Sequence, residues 1–247
     1  MTADRTSWLR QGAYAHRGLH GPGVPENSLA AAEGAIAAGL GIECDVQLSW
    51  DGEALVFHDW ELDRLTGEHG PVASRTAAEL EAIALIDGDG RIPRLPVFLD
   101  LVGGRVPLLV EIKARREIDP APLCRAVLRC LEGYSGPVAI MSFDPRVPRW
   151  FARYTPQVVR GLVVTEENDC GFKGAFRRHL WLWIARPDFL AYDIRDLPSR
   201  FAAAQRKRGL PLLTWTVRTP ELRERAQLFA DAPIAEGAGV ALEPAKP

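Results

Sequence analysis

His16, Glu43, Asp45, His58 and Glu111 have the side chains that phosphoester chemistry needs, and Arg17 and Lys113 stand beside two of them. Glu43 and Asp45 are two residues apart, as are Glu111 and Lys113. In an extended chain, residues i and i+2 share a face, so one side of a sheet can collect all four side chains. Three carboxylates converging in an apolar enclosure repel one another; either one stays protonated or a cation sits between them. With oxygen ligands and no cysteine in the group, the cation expected is one hard divalent ion, Mg²⁺ or Ca²⁺, rather than zinc. That ion, Arg17 and Lys113 together outweigh the carboxylates by one charge, which suits a singly charged anion such as a phosphodiester. Two histidines beside the ion, with ordinary pKa values of about 6.5, would serve as acid and base near neutral pH.

These residues need a frame. Short aliphatic runs at 13–16, 41–46, 107–112, 138–142, 158–164, 189–194, 212–217 and 232–236 read as strands, and helical stretches alternate with them. Asn27 or Ser28 can cap a helix over Leu29, Ala32, Ile36 and Leu40, with Gly39 to end it, and further helices are expected at 145–154, 197–208 and 220–230. Eight strands with crossover helices in this length have the rhythm of a (β/α)₈ TIM barrel, with an open doubly wound sheet as the alternative. Polar residues then collect where a barrel builds its active site, at the C-terminal ends of the strands.

The run Ala54–Asp59 follows the second strand too closely for a helix to intervene. Asp51-Gly52 predicts a two-residue hairpin turn that sets Asp45 opposite His58 and returns His58 to the top of the strand. Residues 60 to about 106 are too long and too punctuated by glycine and proline for one crossover. They predict a small inserted subdomain with a helix near 76–84, within a single catalytic domain spanning 1–247.

His16-Arg17-Gly18, Pro25-Glu26-Asn27-Ser28, Glu43-x-Asp45, His58-Asp59 and Glu111-x-Lys113, in this order and approximate spacing, resemble the glycerophosphodiester phosphodiesterase family. The likeness extends to Ser142-Phe143 and Trp215-Thr216-Val217 and is densest over residues 12–60. It implies a TIM barrel with a small insertion that hydrolyses glycerophosphodiesters to sn-glycerol 3-phosphate and an alcohol such as choline or ethanolamine. By the family's pattern Glu43, Asp45 and Glu111 bind the divalent ion, His16 and His58 are the acid/base pair, and Arg17 and Lys113 hold the phosphate. Trp215 lines the mouth on the substrate side, and Glu26 and Asn27 brace the site. In the family's course the neighbouring glycerol hydroxyl attacks phosphorus, the alcohol leaves, and water opens the resulting cyclic phosphate. Three departures stand out: Ser28 replaces threonine, Arg218 replaces asparagine, and Asp231-Ala-Pro-Ile-Ala-Glu236-Gly237 replaces an Asp-Gly-Ile-x-Thr-Asp ending. The last two lie at the rim that meets the leaving alcohol, so they bear on head-group preference.

Composition narrows the alternatives. The 247 residues are 47 % hydrophobic and 25 % charged, which excludes disorder, and the formal charge of −2 gives no reason to expect nucleic acid as a partner. Cys44, Cys124, Cys130 and Cys170 lack metal or redox spacing and read as reduced thiols of a cytoplasmic protein. The N-terminus has no signal-like apolar stretch, and no apolar run reaches membrane-spanning length. Trp181-Leu-Trp-Ile184 is expected to pack on the core, and His20, His69 and His179 to be surface residues without partners. Gly21–Pro25 reads as a turn-rich loop over the site, not as a phosphate cradle. Two other functions are compatible with the same residues: a lysophospholipase D-like phosphodiesterase with Trp60, Trp181 and Trp183 receiving an acyl chain, and a non-catalytic ligand-binding barrel.

Overall fold

The computed structural model describes residues 5–167 and 171–240. Its strands are β1 (Tyr14–Ala15), β2 (Gly41–Leu48), β3 (Ala54–Val56), β4 (Leu108–Ile112), β5 (Val138–Ser142), β6 (Val159–Val164), β7 (Phe189–Asp193), β8 (Leu212–Val217) and β9 (Ala232–Ala235). The helices are α1 (Leu29–Ala37), α2 (Ala77–Ala82), α3 (Leu95–Val102), α4 (Ala121–Leu131), α5 (Arg146–Tyr154), α6 (Gly171–Ala185), α7 (Arg200–Lys207) and α8 (Pro220–Phe229). β1 pairs in parallel with β2 on one side and β9 on the other, and the remaining parallel ladders complete the ring. The fold is therefore a (β/α)₈ barrel, and ring closure excludes the open sheet.

Alternation along the strands fills the barrel. Tyr14, Leu109, Met141, Val163, Phe189, Ala191, Leu213 and Ile234 point inward and pack together, joined by Leu9. Burying each large apolar side chain contributes roughly 1.5–3 kcal/mol. One step of two residues toward the strand ends turns this apolar interior polar: His16 follows Tyr14, Glu111 follows Leu109, Asp193 follows Ala191 and Glu236 follows Ile234. The outer faces pack against the helices as two further clusters.

β3 lies outside the ring, antiparallel to the upper end of β2. Its register differs by one residue from the expected hairpin: Val46 faces Val56, and the Phe57 amide donates to the Asp45 carbonyl (3.0 Å). Asp45 thus faces Phe57, not His58. The reason is the turn. Ser49 and Glu53 form the last pair, the loop holds three residues, and Gly52 adopts φ +85°, as a type I turn followed by a left-handed residue requires.

Leu55, Phe57, Leu62, Val72, Leu80 and Ile92 build a small core of their own. α2 sits on it, held by a capping box between Thr76 and Glu79. The excursion is shorter than 60–106, because α3 packs between α1 and α4 and buries Leu95, Phe98 and Val102 in the main cluster.

Two surface expectations change. Of Trp181-Leu-Trp-Ile184, Trp181 and Leu182 pack against the core as expected, whereas Trp183 is 67 % exposed. His20 is half-buried with a partner described below, whereas His69 and His179 are exposed, beside Asp63 and the edge of Phe201 respectively. Cys44, Cys124 and Cys130 are free thiols, and Cys170 lies outside the described residues. Among the described residues no helix is long and apolar enough to cross a membrane.

Candidate active site

The turn after β1 is fixed before any ligand enters. Arg17 and Gly18 both have left-handed backbones, φ 56° and 78°. A Cβ at position 18 would lie 2.7 Å from Ala31 Cβ, so only glycine lets the turn press against α1. The Leu19 amide donates to the Ala31 carbonyl (2.8 Å) and the Asn27 amide to the Arg17 carbonyl (2.9 Å). Ser28 alone caps α1, accepting from the Ala31 amide (3.1 Å). Asn27, expected as a possible cap, is instead left-handed (φ 58°) and buried. Its Nδ2 donates to Asp45 Oδ2 (3.0 Å), and its Oδ1 accepts from the Asp45 amide (3.2 Å).

Glu43, Asp45 and Glu111 come together as expected. Asp45 and Glu111 are direct neighbours across β2 and β4, and one oxygen from each of the three carboxylates lies within 4.8 Å of the others. All three are buried. Lys113 Nζ is 3.1 Å from Glu111 Oε1 and 3.5 Å from Asp45 Oδ1, and Arg17 Nε is 3.3 Å from Asp45 Oδ2. Glu43 accepts from the Arg17 amide (3.0 Å). Burial, together with repulsion from Asp45 and Glu111, pushes the Glu43 carboxyl well up. Burial would push Asp45 up too, but Lys113, His58 and Arg17 pull it down. Lys113 is likewise raised against its burial by Glu111 and Asp45. Two fixed cations thus face three carboxylates, and the uncompensated one sits in an all-oxygen cage. A hard divalent cation fits that donor set.

Both histidines are pinned in the same manner. His16 Nδ1 lies 2.5 Å from Glu236 Oε2, and His58 Nδ1 lies 2.6 Å from Asp59 Oδ1. An ionised carboxylate only accepts, so each Nδ1 carries the proton and each Nε2 is left as the acceptor nitrogen. His16 Nε2 stands 4.0 Å from Glu43 Oε2. Burial lowers the His58 imidazole below its ordinary range, against the attraction of Asp45. Glu236 also receives His20 Nε2 at 3.5 Å and Arg218 Nε at 2.6 Å. Against burial, which would raise it, His16, His20 and Arg218 hold the Glu236 carboxyl far below the ordinary range. On the other side Arg64 joins Asp59 (2.5 Å) to Glu26 (2.8 Å), and Glu26 meets Arg17 (2.6 Å). Glu26 therefore braces Arg17, and ion pairs run from the insertion to the turn after β1.

A cavity of about 370 Å³ opens over these groups, and His16, His58, Arg17, Lys113 and Trp215 all line it. Trp215 is half-buried, donates to the Ala191 carbonyl (3.0 Å) and meets Phe143 edge-on at 5.3 Å. Sequence reasoning set Glu236 at the rim but not as the partner of His16, took His20 for a partnerless surface residue, and missed Asp193 and Arg195 in the cavity lining. The signal for Glu236 was available: β1 and β9 are barrel neighbours, so the first residues past their ends, His16 and Glu236, stand side by side. Of the tryptophans considered for an acyl chain, Trp181 lines a second cleft of about 700 Å³ that shares Phe143 with the catalytic cavity. Trp60 lies beneath the Arg115 guanidinium, and Trp183 is exposed.

Residues 16–240 match the model of the glycerophosphoryl diester phosphodiesterase family. The chain belongs to this family. A glycerophosphodiester phosphodiesterase of Caldanaerobacter subterraneus subsp. tengcongensis is 30 % identical over 221 residues, covering 85 % of this chain and 87 % of that one. The crystal structure of a glycerophosphodiester phosphodiesterase from Thermotoga maritima superposes with a TM-score of 0.73 at 27 % identity, over 90 % of this chain and 93 % of that one. An Oleispira antarctica phosphodiesterase, solved in complex with the product sn-glycerol-3-phosphate, shares the fold with a TM-score of 0.77 at 23 % identity, over 91 % and 92 % of the two chains. The reaction of the family, hydrolysis of glycerophosphodiesters, is the activity of this enzyme.

Proposed function

We propose that the enzyme releases sn-glycerol 3-phosphate from glycerophosphodiesters by two-histidine acid/base catalysis at a divalent cation, Mg²⁺ or Ca²⁺, held by Glu43, Asp45 and Glu111. The observation that carries this reading is the cage of three buried carboxylates in one cavity with two imidazoles, each pinned at Nδ1 by its own carboxylate. Glu43, Asp45 and Glu111 would hold the cation, which when bound would offset their charge and polarise a non-bridging phosphate oxygen.

The side chains do the rest. Arg17 and Lys113 both line the cavity and both lie against Asp45, and this cationic pair beside the carboxylate cage supports a role in holding the phosphate. One imidazole takes the proton of the attacking glycerol hydroxyl at Nε2, and the other gives a proton to the departing alcohol oxygen as its bond to phosphorus breaks. When water opens the cyclic phosphate the two exchange roles, which returns each to its starting protonation state. Arg218, which lines the cavity and is more than half exposed, would meet the leaving alcohol.

The test is glycerol 3-phosphate release from glycerophosphocholine after EDTA treatment and after restoring Mg²⁺ or Ca²⁺, with His16→Ala and Glu43→Ala as controls. Each substitution is expected to lower kcat by at least about 10²-fold while the protein stays folded. Equal rates in EDTA, or a near-normal His16→Ala enzyme, would overturn the assignment. The cleft reached through Phe143 favours a second reading, in which a lysophospholipid places its acyl chain along Leu180 and Trp181. Turnover of lysophosphatidylcholine against glycerophosphocholine separates the two.

A further inference from the structure

α6 packs Trp181 and Leu182 against the neighbouring core cluster but leaves four other large apolar side chains in solvent. Its barrel side carries Gly174, Arg178 and Ala185, whereas its outer side presents Phe172 (87 % exposed), Phe176 (64 %), Leu180 (40 %) and Trp183 (67 %). Spacings of four, four and three residues align these four side chains in one stripe, about 16 Å long at the rise of an α-helix. Single exposed apolar residues need no explanation, but a row of three aromatics and a leucine on one helix does.

The charges beside the stripe say what covers it. α6 contains Lys173, Arg177 and Arg178 and not one carboxylate. Arg178 turns inward to Glu166, while Lys173 is exposed and Arg177 lies half-buried at the stripe's flank over the Trp181 ring, with Arg116 on the same ring. We propose that this face docks the enzyme on an anionic lipid bilayer. An aromatic and aliphatic row flanked by cations has the composition of a helix that lies in the headgroup boundary. A second copy fits poorly, since a two-fold contact through α6 would set its cations against their own images. α6 starts on the mouth side of the barrel, after β6, and its Leu180 lines the cleft that shares Phe143 with the catalytic cavity. Docking would thus hold the cavity beside the surface that releases glycerophosphodiesters. The inference concerns where the enzyme works and is independent of its mechanism.

The test is co-sedimentation of the purified enzyme with vesicles of equal phosphatidylglycerol and phosphatidylcholine, and of phosphatidylcholine alone, at low and high salt. Wild type is compared with Phe172→Ser/Phe176→Ser/Trp183→Ser and with Lys173→Glu/Arg177→Glu, with circular dichroism and turnover of soluble glycerophosphocholine confirming that each variant is folded. Binding is expected to favour the anionic vesicles by about tenfold or more, to weaken with salt, and to fall by at least about tenfold in both variants. No sedimentation with either vesicle, or undiminished binding of the serine variant, overturns the proposal. So does a dimer in light scattering that the serine substitutions dissolve, because the stripe then belongs to a second copy.

Discussion

Replacing Glu236 by glutamine isolates the electrostatic support of His16. The contact is 2.5 Å long, and the Glu236 side chain is one-fifth exposed, so solvent screens it only in part. Glutamine keeps the shape and offers an amide oxygen to the Nδ1 proton, which preserves the tautomer. It removes the charge that favours the imidazolium formed as His16 takes up a proton. A hydrogen bond to a charged group contributes about 1.5–3 kcal/mol and a neutral one about 0.5–1.5 kcal/mol, so about 1–2 kcal/mol of support for the protonated state is lost. At about 1.4 kcal/mol per tenfold, kcat is expected to fall by about 5–30-fold. KM should change less than kcat, because Glu236 does not contact the carboxylate cage and reaches the substrate side only through Arg218. Arg218, 59 % exposed, loses a partner at small cost. The assay is glycerol 3-phosphate release coupled to its dehydrogenase, with kcat and KM resolved and thermal unfolding as a control. A glutamine variant with kcat within about twofold of wild type, or one whose loss is entirely in KM, would refute the reasoning.

Asn27→Ala leaves the Asp45 amide and one carboxylate oxygen without their buried partner, and supporting groups of this type alter metal affinity by about 10–100-fold, so Mg²⁺ titration of activity should shift by that amount. Gly18→Ala combines a left-handed backbone with a contact to Ala31 that must yield, and is expected to cost at least about 2 kcal/mol, read as a Tm lower by about 4–8 °C. Under native conditions iodoacetamide should leave Cys44 and Cys124 unmodified, since burial raises both thiols, Cys124 to about 12; mass spectrometry of the labelled peptides checks this.

The barrel was legible because each strand is a short aliphatic run and α1, α5, α7 and α8 carry their own helix signals, whereas α3, α4 and α6 were not singled out. The carboxylates were legible because strand alternation is a rigid rule: Glu43 and Asp45 share a face wherever the strand lies. What failed was decided by single residues. Asp51-Gly52 suits a two-residue turn as well as a three-residue one, and the difference moves His58 by one place. Asn27 has the composition of a helix cap, yet its left-handed backbone turns the side chain away from α1 and onto Asp45. Glu236 and His20 lie far apart in the chain, and only barrel closure between β1 and β9 makes them partners. Trp183 shows the limit of hydrophobicity as a burial signal: α6 turns Gly174, Ala185, an ion-paired Arg178 and the half-buried Trp181 and Leu182 toward its neighbours, and leaves Phe172, Phe176 and Trp183 outside.

The two histidines are mounted on different parts of the molecule. His16 sits on the seam where β1 closes the barrel, whereas His58 stands at the foot of an excursion with its own small core, tied back through Gln47, which donates to the carbonyls of Phe57 (3.1 Å) and Asp59 (2.5 Å). Small peripheral cores open at lower free energy than the main one. Mild denaturant is therefore expected to withdraw His58 while the carboxylate cage and His16 stay assembled. Under the proposed mechanism inactivation is then a local event that precedes global unfolding, and the stability of the excursion, not of the barrel, sets the conditions under which the enzyme can work.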